Sequence, residues 1–260
     1  MPMKKIMCFL LVMLLIISLS TSISAQEELP KYQAYYIVDD LVNPSKVSEY
    51  ELALKEYIAH FKENNYPYSI HLFSTNDFHY YYSTPIALSF AEIDSLYKYL
   101  NKVAAANPDK WDATWKKFDG TYEYNKAGTM LWYRDLSYEP ENPRLEANDE
   151  AFSYLVFIYL KVGKSPQFRE LLNKWNELYK SKGITDRYSI YRGEVGYEQP
   201  CYIWQFHGKD HFDFWSEAKN NHELLGLEAK ELWEETLKLV RKIEYRYAWY
   251  RPDLSYSYKK

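Results

Sequence analysis

Trp132-Tyr133-Arg134-Asp135-Leu136-Ser137-Tyr138 returns near the C-terminus as Trp249-Tyr250-Arg251-Pro252-Asp253-Leu254-Ser255-Tyr256. The same residue types recur in the same order about 117 positions later, with one proline inserted. A second echo, Tyr68-Ser69-Ile70 and Tyr188-Ser189-Ile190, lies 120 positions apart. The chain therefore reads as two copies of one unit, each ending in this strand-like segment.

Working outward from the echo gives the same element order twice. Tyr32 to Val38 is rich in Tyr and β-branched residues and predicts a strand. Ser48 to Lys62 carries Tyr50, Leu54, Tyr57, Ile58 and Phe61 at helical spacing. Tyr68 to Phe73 and Phe78 to Ser83 flank a Ser-Thr-Asn-Asp turn and predict a hairpin. A second helix presents Ile93, Leu96, Tyr97, Leu100 and Val103, and Asn107-Pro108 interrupts it. Gly128 to Asp135 closes the unit as a strand. In the second copy, strand Phe152 to Val162 precedes a helix striped by Phe168, Leu171, Leu172, Trp175, Leu178 and Tyr179. A hairpin of Tyr188–Val195 and Cys201–Phe206 follows, then a helix broken near Gly226, then strand Glu244–Tyr250. Leu54, Tyr57 and Phe61 match Leu172, Trp175 and Tyr179 at a constant spacing of 118. The predicted fold is α+β: two ferredoxin-like β-α-β-β-α-β repeats. The first spans residues 26–138, the second 151–260, and an acidic, proline-containing linker, 139–150, joins them.

A β-α-β-β-α-β unit carries both helices on one sheet face and leaves the other open. Two units packed sheet-to-sheet cover each other, as an intramolecular version of a dimer, so a monomer is expected. In this the chain resembles the dimeric α+β barrel superfamily, the group that includes antibiotic-biosynthesis-type monooxygenases and NIPSNAP-like proteins. The resemblance covers most of residues 31–256 and rests on element order and duplication. It matches no catalytic motif residue by residue. The superfamily hosts haem enzymes, cofactor-free oxygenases, isomerases and binding proteins, so the fold selects no single function.

Composition narrows the field. Lys4 and Lys5, the apolar run Ile6 to Leu19 and the small residues before Ala25 predict a secretory signal peptide, residues 1–25. Export to the periplasm or the exterior follows; the alternative is an uncleaved membrane anchor. Losing Lys4 and Lys5 takes 32 basic residues to 30 against 36 acidic ones, a formal charge of −6. That balance disfavours nucleic acid and anionic membranes as partners. Cys201 is then the lone cysteine, expected as a small buried hydrophobe. With 28 Tyr, 8 Trp and 12 Phe, the core is aromatic.

Candidate site residues come from the hairpins. Ser69, His71 and Phe73 share one strand face, as do His79 and Tyr81 on the partner strand. An inward face would place two imidazoles and a phenol in one aromatic cavity, with His71 or His79 as a base. The second copy substitutes Tyr191 for His71 and a residue near Tyr202 for His79. Arg192 and Glu194 alternate on one face, with Trp204 on the next strand: an aromatic-walled cationic pocket, or an ordinary ion pair. Arg134 and Arg251 read as partners of the nearby aspartates. His207 and His211 lack the further ligands of a metal centre, Gly208 assigns His207 to a loop, and Asp210 reads as a helix cap. Glycine-rich phosphate loops, G-x-S-x-G and H-E-x-x-H are missing, and no cofactor or metal is expected. Three functions follow in order. The first is an exported protein holding a small apolar or aromatic ligand. The second is a cofactor-independent oxygenase or isomerase, and the third a cell-envelope interaction module that grips with exposed aromatics.

Overall fold

A computed structural model describes residues 30–259; the expected signal peptide lies outside them. Eight strands and five helices follow in the order the sequence predicts. The first half holds β1 (Tyr32–Val42), α1 (Val47–Glu63), β2 (His71–Thr75), β3 (His79–Ile86), α2 (Phe90–Ala106), α3 (Pro108–Lys116) and β4 (Tyr122–Tyr138). The second holds β5 (Phe152–Leu160), α4 (Ser165–Ser181), β6 (Tyr188–Gly193), β7 (Cys201–Gly208), α5 (His211–Leu239) and β8 (Val240–Tyr250).

The helices lie where side-chain periodicity and caps put them. In α1, Tyr50, Ala53, Leu54, Ile58 and Phe61 form the buried stripe; in α4, Phe168, Leu171, Leu172, Trp175, Leu178 and Tyr179 do. Asp210 caps α5, its carboxylate accepting from the amides of Phe212 at 2.8 Å and Asp213 at 2.9 Å. Gly226 interrupts α5 with φ of 61°, a conformation that costs a residue bearing Cβ. The helix stops at Leu239 because Val240 already pairs with Leu160.

All strand pairs are antiparallel and the sheet closes on itself in the order β1-β3-β2-β8-β5-β7-β6-β4. Each half alone has the order fourth-first-third-second, as a ferredoxin-like unit requires. Two seams join the halves. On one, Phe73, Ser74 and Thr75 of β2 face Tyr250, Trp249 and Ala248 of β8. On the other, Met130 to Tyr133 of β4 face Gly193 to Ile190 of β6. The two sheets thus face each other across the interior and also share both edges. Closure leaves no edge strand unpaired.

The repeated segment fastens both seams, reciprocally. Ser137 Oγ accepts from the Ile190 amide and Ser255 Oγ from the Leu72 amide, each at 2.9 Å and each in the opposite half. Each serine donates to the carbonyl four residues earlier, that of Tyr133 or Arg251, at 2.7 Å. Tyr138 donates to the Ile184 carbonyl at 2.8 Å and Tyr256 to that of Tyr66 at 2.9 Å, again crossing between halves. The expected Arg–Asp pairing is found in the second copy, where Arg251 meets Asp253 at 2.9 Å and also Glu51 of the first half. In the first copy Arg134 lies over the Trp132 ring, 4.4 Å from its centroid, and Asp135 pairs with Lys31 at 2.8 Å.

Sequence identity and structural equivalence part company within this segment. Trp132 faces Tyr191 across the seam and stacks on it inside the barrel. Trp249 faces Phe152, whose ring packs on Phe214 of α5, so Trp249 points outward. A one-residue offset turns like residues to opposite sheet faces. The extra Pro252 restores the match by Leu136 and Leu254, both buried.

The seam can be tested directly. Ser255→Ala strands the buried Leu72 amide, and a cost of about 1–3 kcal/mol is expected, with a similar loss for Ser137→Ala. Urea unfolding of both variants measures it. Losses confined to one seam would show that the two are not equivalent supports.

Candidate functional site

Alternation along the eight strands aims one residue in two at the barrel axis. A barrel of this size has room for packed side chains or one small ligand. Here an interior cavity of about 380 Å³ remains, within the range of small-molecule sites. Tyr35 and Ile37 of β1, His71 and Phe73 of β2, and Tyr81 and Ser83 of β3 form one wall. Leu155 and Phe157 of β5, Ile203 and Gln205 of β7, Tyr191 of β6 and Tyr250 of β8 form the other.

Two loops finish the enclosure. The β6–β7 connection returns Tyr197 to the cavity. This needs Gly193, because a Cβ there would overlap the Tyr197 ring. The linker supplies Ala147, Asn148 and Glu150. It is pinned by Arg144, whose guanidinium reaches Asp186 and Asp213 at 2.7 Å, and by Arg187, which binds Glu150 and Glu139.

One part of the wall is polar. Gln205 donates to Ser153 Oγ at 2.8 Å. His207 lies between Ser189 (3.2 Å, through Nε2) and Glu150 (3.1 Å, through Nδ1). Glu150 is held by Arg187 and can only accept, so His207 donates its Nδ1–H and accepts from the Ser189 hydroxyl. Burial, reinforced by the Arg187 guanidinium, pushes the His207 pKa down to about 3. The Glu150 carboxylate pulls the other way, but Arg187 already offsets its charge.

His71 differs. Among the described residues nothing hydrogen-bonds its ring; its neighbour is the Tyr250 ring, centroids 6.3 Å apart. Burial lowers its pKa, so the imidazole faces the cavity as a neutral acceptor. The cavity phenols of Tyr35, Tyr81 and Tyr191 shift upward, chiefly through burial, and stay protonated donors.

Of the residues the sequence singles out, His71 and Tyr81 meet in this cavity. His79 is inward but lies behind Tyr81, stacked on it at 5.9 Å, and bonds Asp39 at 2.7 Å with Asp77 3.7 Å away. Arg246 of β8 completes that cluster, binding Asp77 at 2.8 Å and the Tyr81 hydroxyl. Arg192 and Trp204 do not reach the cavity. Inward positions on β6 and β7 are odd-numbered, so both point to the outer face. There Arg192 pairs with Glu194 at 3.3 Å, the ordinary ion pair, and Trp204 packs on Trp175 of α4. His207 was assigned to a loop, but β7 runs on through Gly208 and turns it inward. Among the described residues no cluster of three or more His, Cys, Asp or Glu could hold a metal, and no helix is long and apolar enough to cross a membrane.

No known protein family and no curated protein matches the sequence. Solved structures do match the fold. An anthrone oxidase-like protein aligns with a TM-score of 0.56 at 10% identity, over 85% of this chain and 92% of that one. A candidate monooxygenase from Lactobacillus acidophilus aligns at 0.51 and 12% identity, over 86% and 96%. A chlorite dismutase variant from Candidatus Nitrospira defluvii aligns at 0.50 and 9% identity, over 85% and 92%. At such identities the likeness establishes the fold: a dimeric α+β barrel with both halves on one chain.

The His207 geometry carries a pH signature. Unfolded, its pKa is about 6.5; folded, it is about 3. Its stabilising contribution is complete above about 6.5 and is lost as pH falls toward 3. His207→Gln removes the titration, so the stability advantage of the parent protein over the variant should shrink from pH 7 to pH 4. An advantage constant across that range would contradict a neutral, buried His207.

Proposed function

We propose that the barrel interior binds a small, uncharged aromatic molecule, with its polar substituent at His71. The observation that carries this reading is a His71 ring that nothing hydrogen-bonds among the described residues, in a cavity whose polar stretch around His207, Glu150 and Gln205 is already paired and whose remaining walls are mainly aromatic and aliphatic. The cavity's ionised groups are already answered: Glu150 by Arg187, and Asp77, behind Tyr81, by Arg246. A charged ligand would find no countercharge to offset its desolvation. A phenol or enol satisfies the imidazole, and the tyrosine hydroxyls can donate to it.

A second reading has an observation of its own. A neutral imidazole beside a bound phenol or activated C–H is placed to remove a proton, the opening step of a cofactor-independent oxygenase or isomerase. The names of the structural neighbours, a candidate monooxygenase and an anthrone oxidase-like protein, favour that class. The leader-like first 25 residues support export, and the internal pairing of the halves supports a monomer.

Thermal unfolding with 1-naphthol and naphthalene tests the binding. At a hundredfold excess over Kd, 1-naphthol should raise Tm by roughly 5 °C or more, and by more than naphthalene does. Leu155→Trp, which fills the cavity, should abolish both shifts, and His71→Phe should equalise them. A naphthol preference surviving His71→Phe would remove His71 from the site.

A further inference from the structure

A larger cavity, about 610 Å³, lies outside the barrel between the outer sheet face of the second half and α4 and α5. Its walls are mainly rings: Tyr154, Trp204 and Tyr245 of the sheet, Trp175 of α4, and Trp215 and Trp233 of α5. Two of these hold an unanswered polar group. Trp175 and Trp204 are 7% and 3% exposed, and neither indole Nε1–H meets an acceptor among the described residues. A buried donor left unpaired is costly, and native interiors rarely keep one without a reason.

The other repeat serves as an internal control. Its equivalent space, about 390 Å³, lies under α1 and α2. Tyr57 stands there in place of Trp175, 118 positions earlier, and Thr84 in place of Trp204, 120 earlier. Among the described residues no fully buried side-chain nitrogen or oxygen there is left without a partner: Tyr36 bonds Tyr97 at 2.6 Å, and Asp40 accepts from Tyr50 at 2.6 Å and also from Asn125. The duplicated architecture therefore does not impose unpaired donors on this layer. They belong to the second copy's own sequence.

We infer that this outer cavity is a second ligand site, for a flat, uncharged, multi-ring molecule whose carbonyl oxygen accepts from the Trp175 and Trp204 indoles. Ring walls favour a planar guest through stacking and edge contacts. The two charged groups at its inner margin have partners: Arg187 has Glu150 and Glu139, and Asp186 has Arg144 and Asn221; Glu217 and the exposed Lys230 border it on the α5 side. That favours a neutral guest. Among the described residues only His207 borders both this site and the barrel, so the two can be tested apart.

Equilibrium dialysis of the whole protein against 9-fluorenone and fluorene compares the same rings with and without the carbonyl. Fluorenone should bind about tenfold more tightly, the size of one net hydrogen bond. Trp175→Phe with Trp204→Phe should bring the two ligands to parity while fluorene affinity holds. Leu155→Trp, which blocks the barrel, should leave both affinities unchanged. If the double variant does not fold, each single Trp→Phe change reads the same ratio. The proposal is overturned by equal binding of the two ligands to the parent protein, by no fluorenone binding, by a ratio that survives the Trp→Phe changes, or by loss of fluorenone binding in Leu155→Trp.

Discussion

The backbone of a four-stranded sheet has two edges, and each edge carries amides and carbonyls that demand partners. In this protein the closing strand of each half meets that demand in the other. Ser137 takes the Ile190 amide and Ser255 takes the Leu72 amide, both at 2.9 Å. Everything inside the barrel depends on this exchange. Without it the inner faces, with His71, Phe73, Leu155 and Phe157, would open to water, and each half would offer a bare edge to other chains.

Closure at eight strands also fixes what the interior can hold. The barrel is narrow enough that large residues nearly fill it, and the space that remains is small and aromatic. Polar groups in such a space must be paired or used. The wall around Gln205, Ser153, His207 and Glu150 is paired and, through Arg187, holds the linker over the cavity. His71 is not paired, which separates a structural histidine from an available one although both line the same cavity. The outer layer shows the contrast again: among the described residues the first half leaves no fully buried polar side-chain atom unpaired there, while the Trp175 and Trp204 indoles have no acceptor.

Much of this was legible in the sequence. The Trp-Tyr-Arg-Asp-Leu-Ser-Tyr echo identified the duplication, and the 118-residue spacing of Leu54, Tyr57 and Phe61 with their counterparts aligned the helix faces. The inward face of each strand was not legible. A barrel strand is covered on both sides, by the cavity and by helices, so runs such as Leu155-Val156-Phe157-Ile158 carry no polar alternation to tell the sides apart. Arg192 and Trp204, read as walls of one pocket, both lie on the outer face. His207 was hidden because Gly208 reads as part of a loop, whereas β7 runs on through Gly208 and keeps His207 in the strand. Glu150 was hidden in the linker, whose acidic composition reads as solvated chain. The echo itself misleads by one residue: it equates Trp132 with Trp249, which point to opposite faces until Pro252 restores the register.

Fusion of two halves into one chain frees them to differ, and the interior uses that freedom. A homodimer with a histidine at the His71 position would place two imidazoles symmetrically about one cavity. Here the equivalent position, 120 residues on, is Tyr191, and its phenol is held protonated by burial. The first-half wall therefore offers, beside the phenols of Tyr35 and Tyr81, a neutral acceptor that the second half replaces with a donor. His79 has no counterpart either: register equates Ser83 with Ile203 and Tyr82 with Tyr202, which leaves Gln199 at the matching place. A symmetric cavity would bind an asymmetric guest in two equivalent orientations. This one is not symmetric: the neutral His71 imidazole has a phenol, Tyr191, at its equivalent position, so a guest with one polar end would have one preferred orientation.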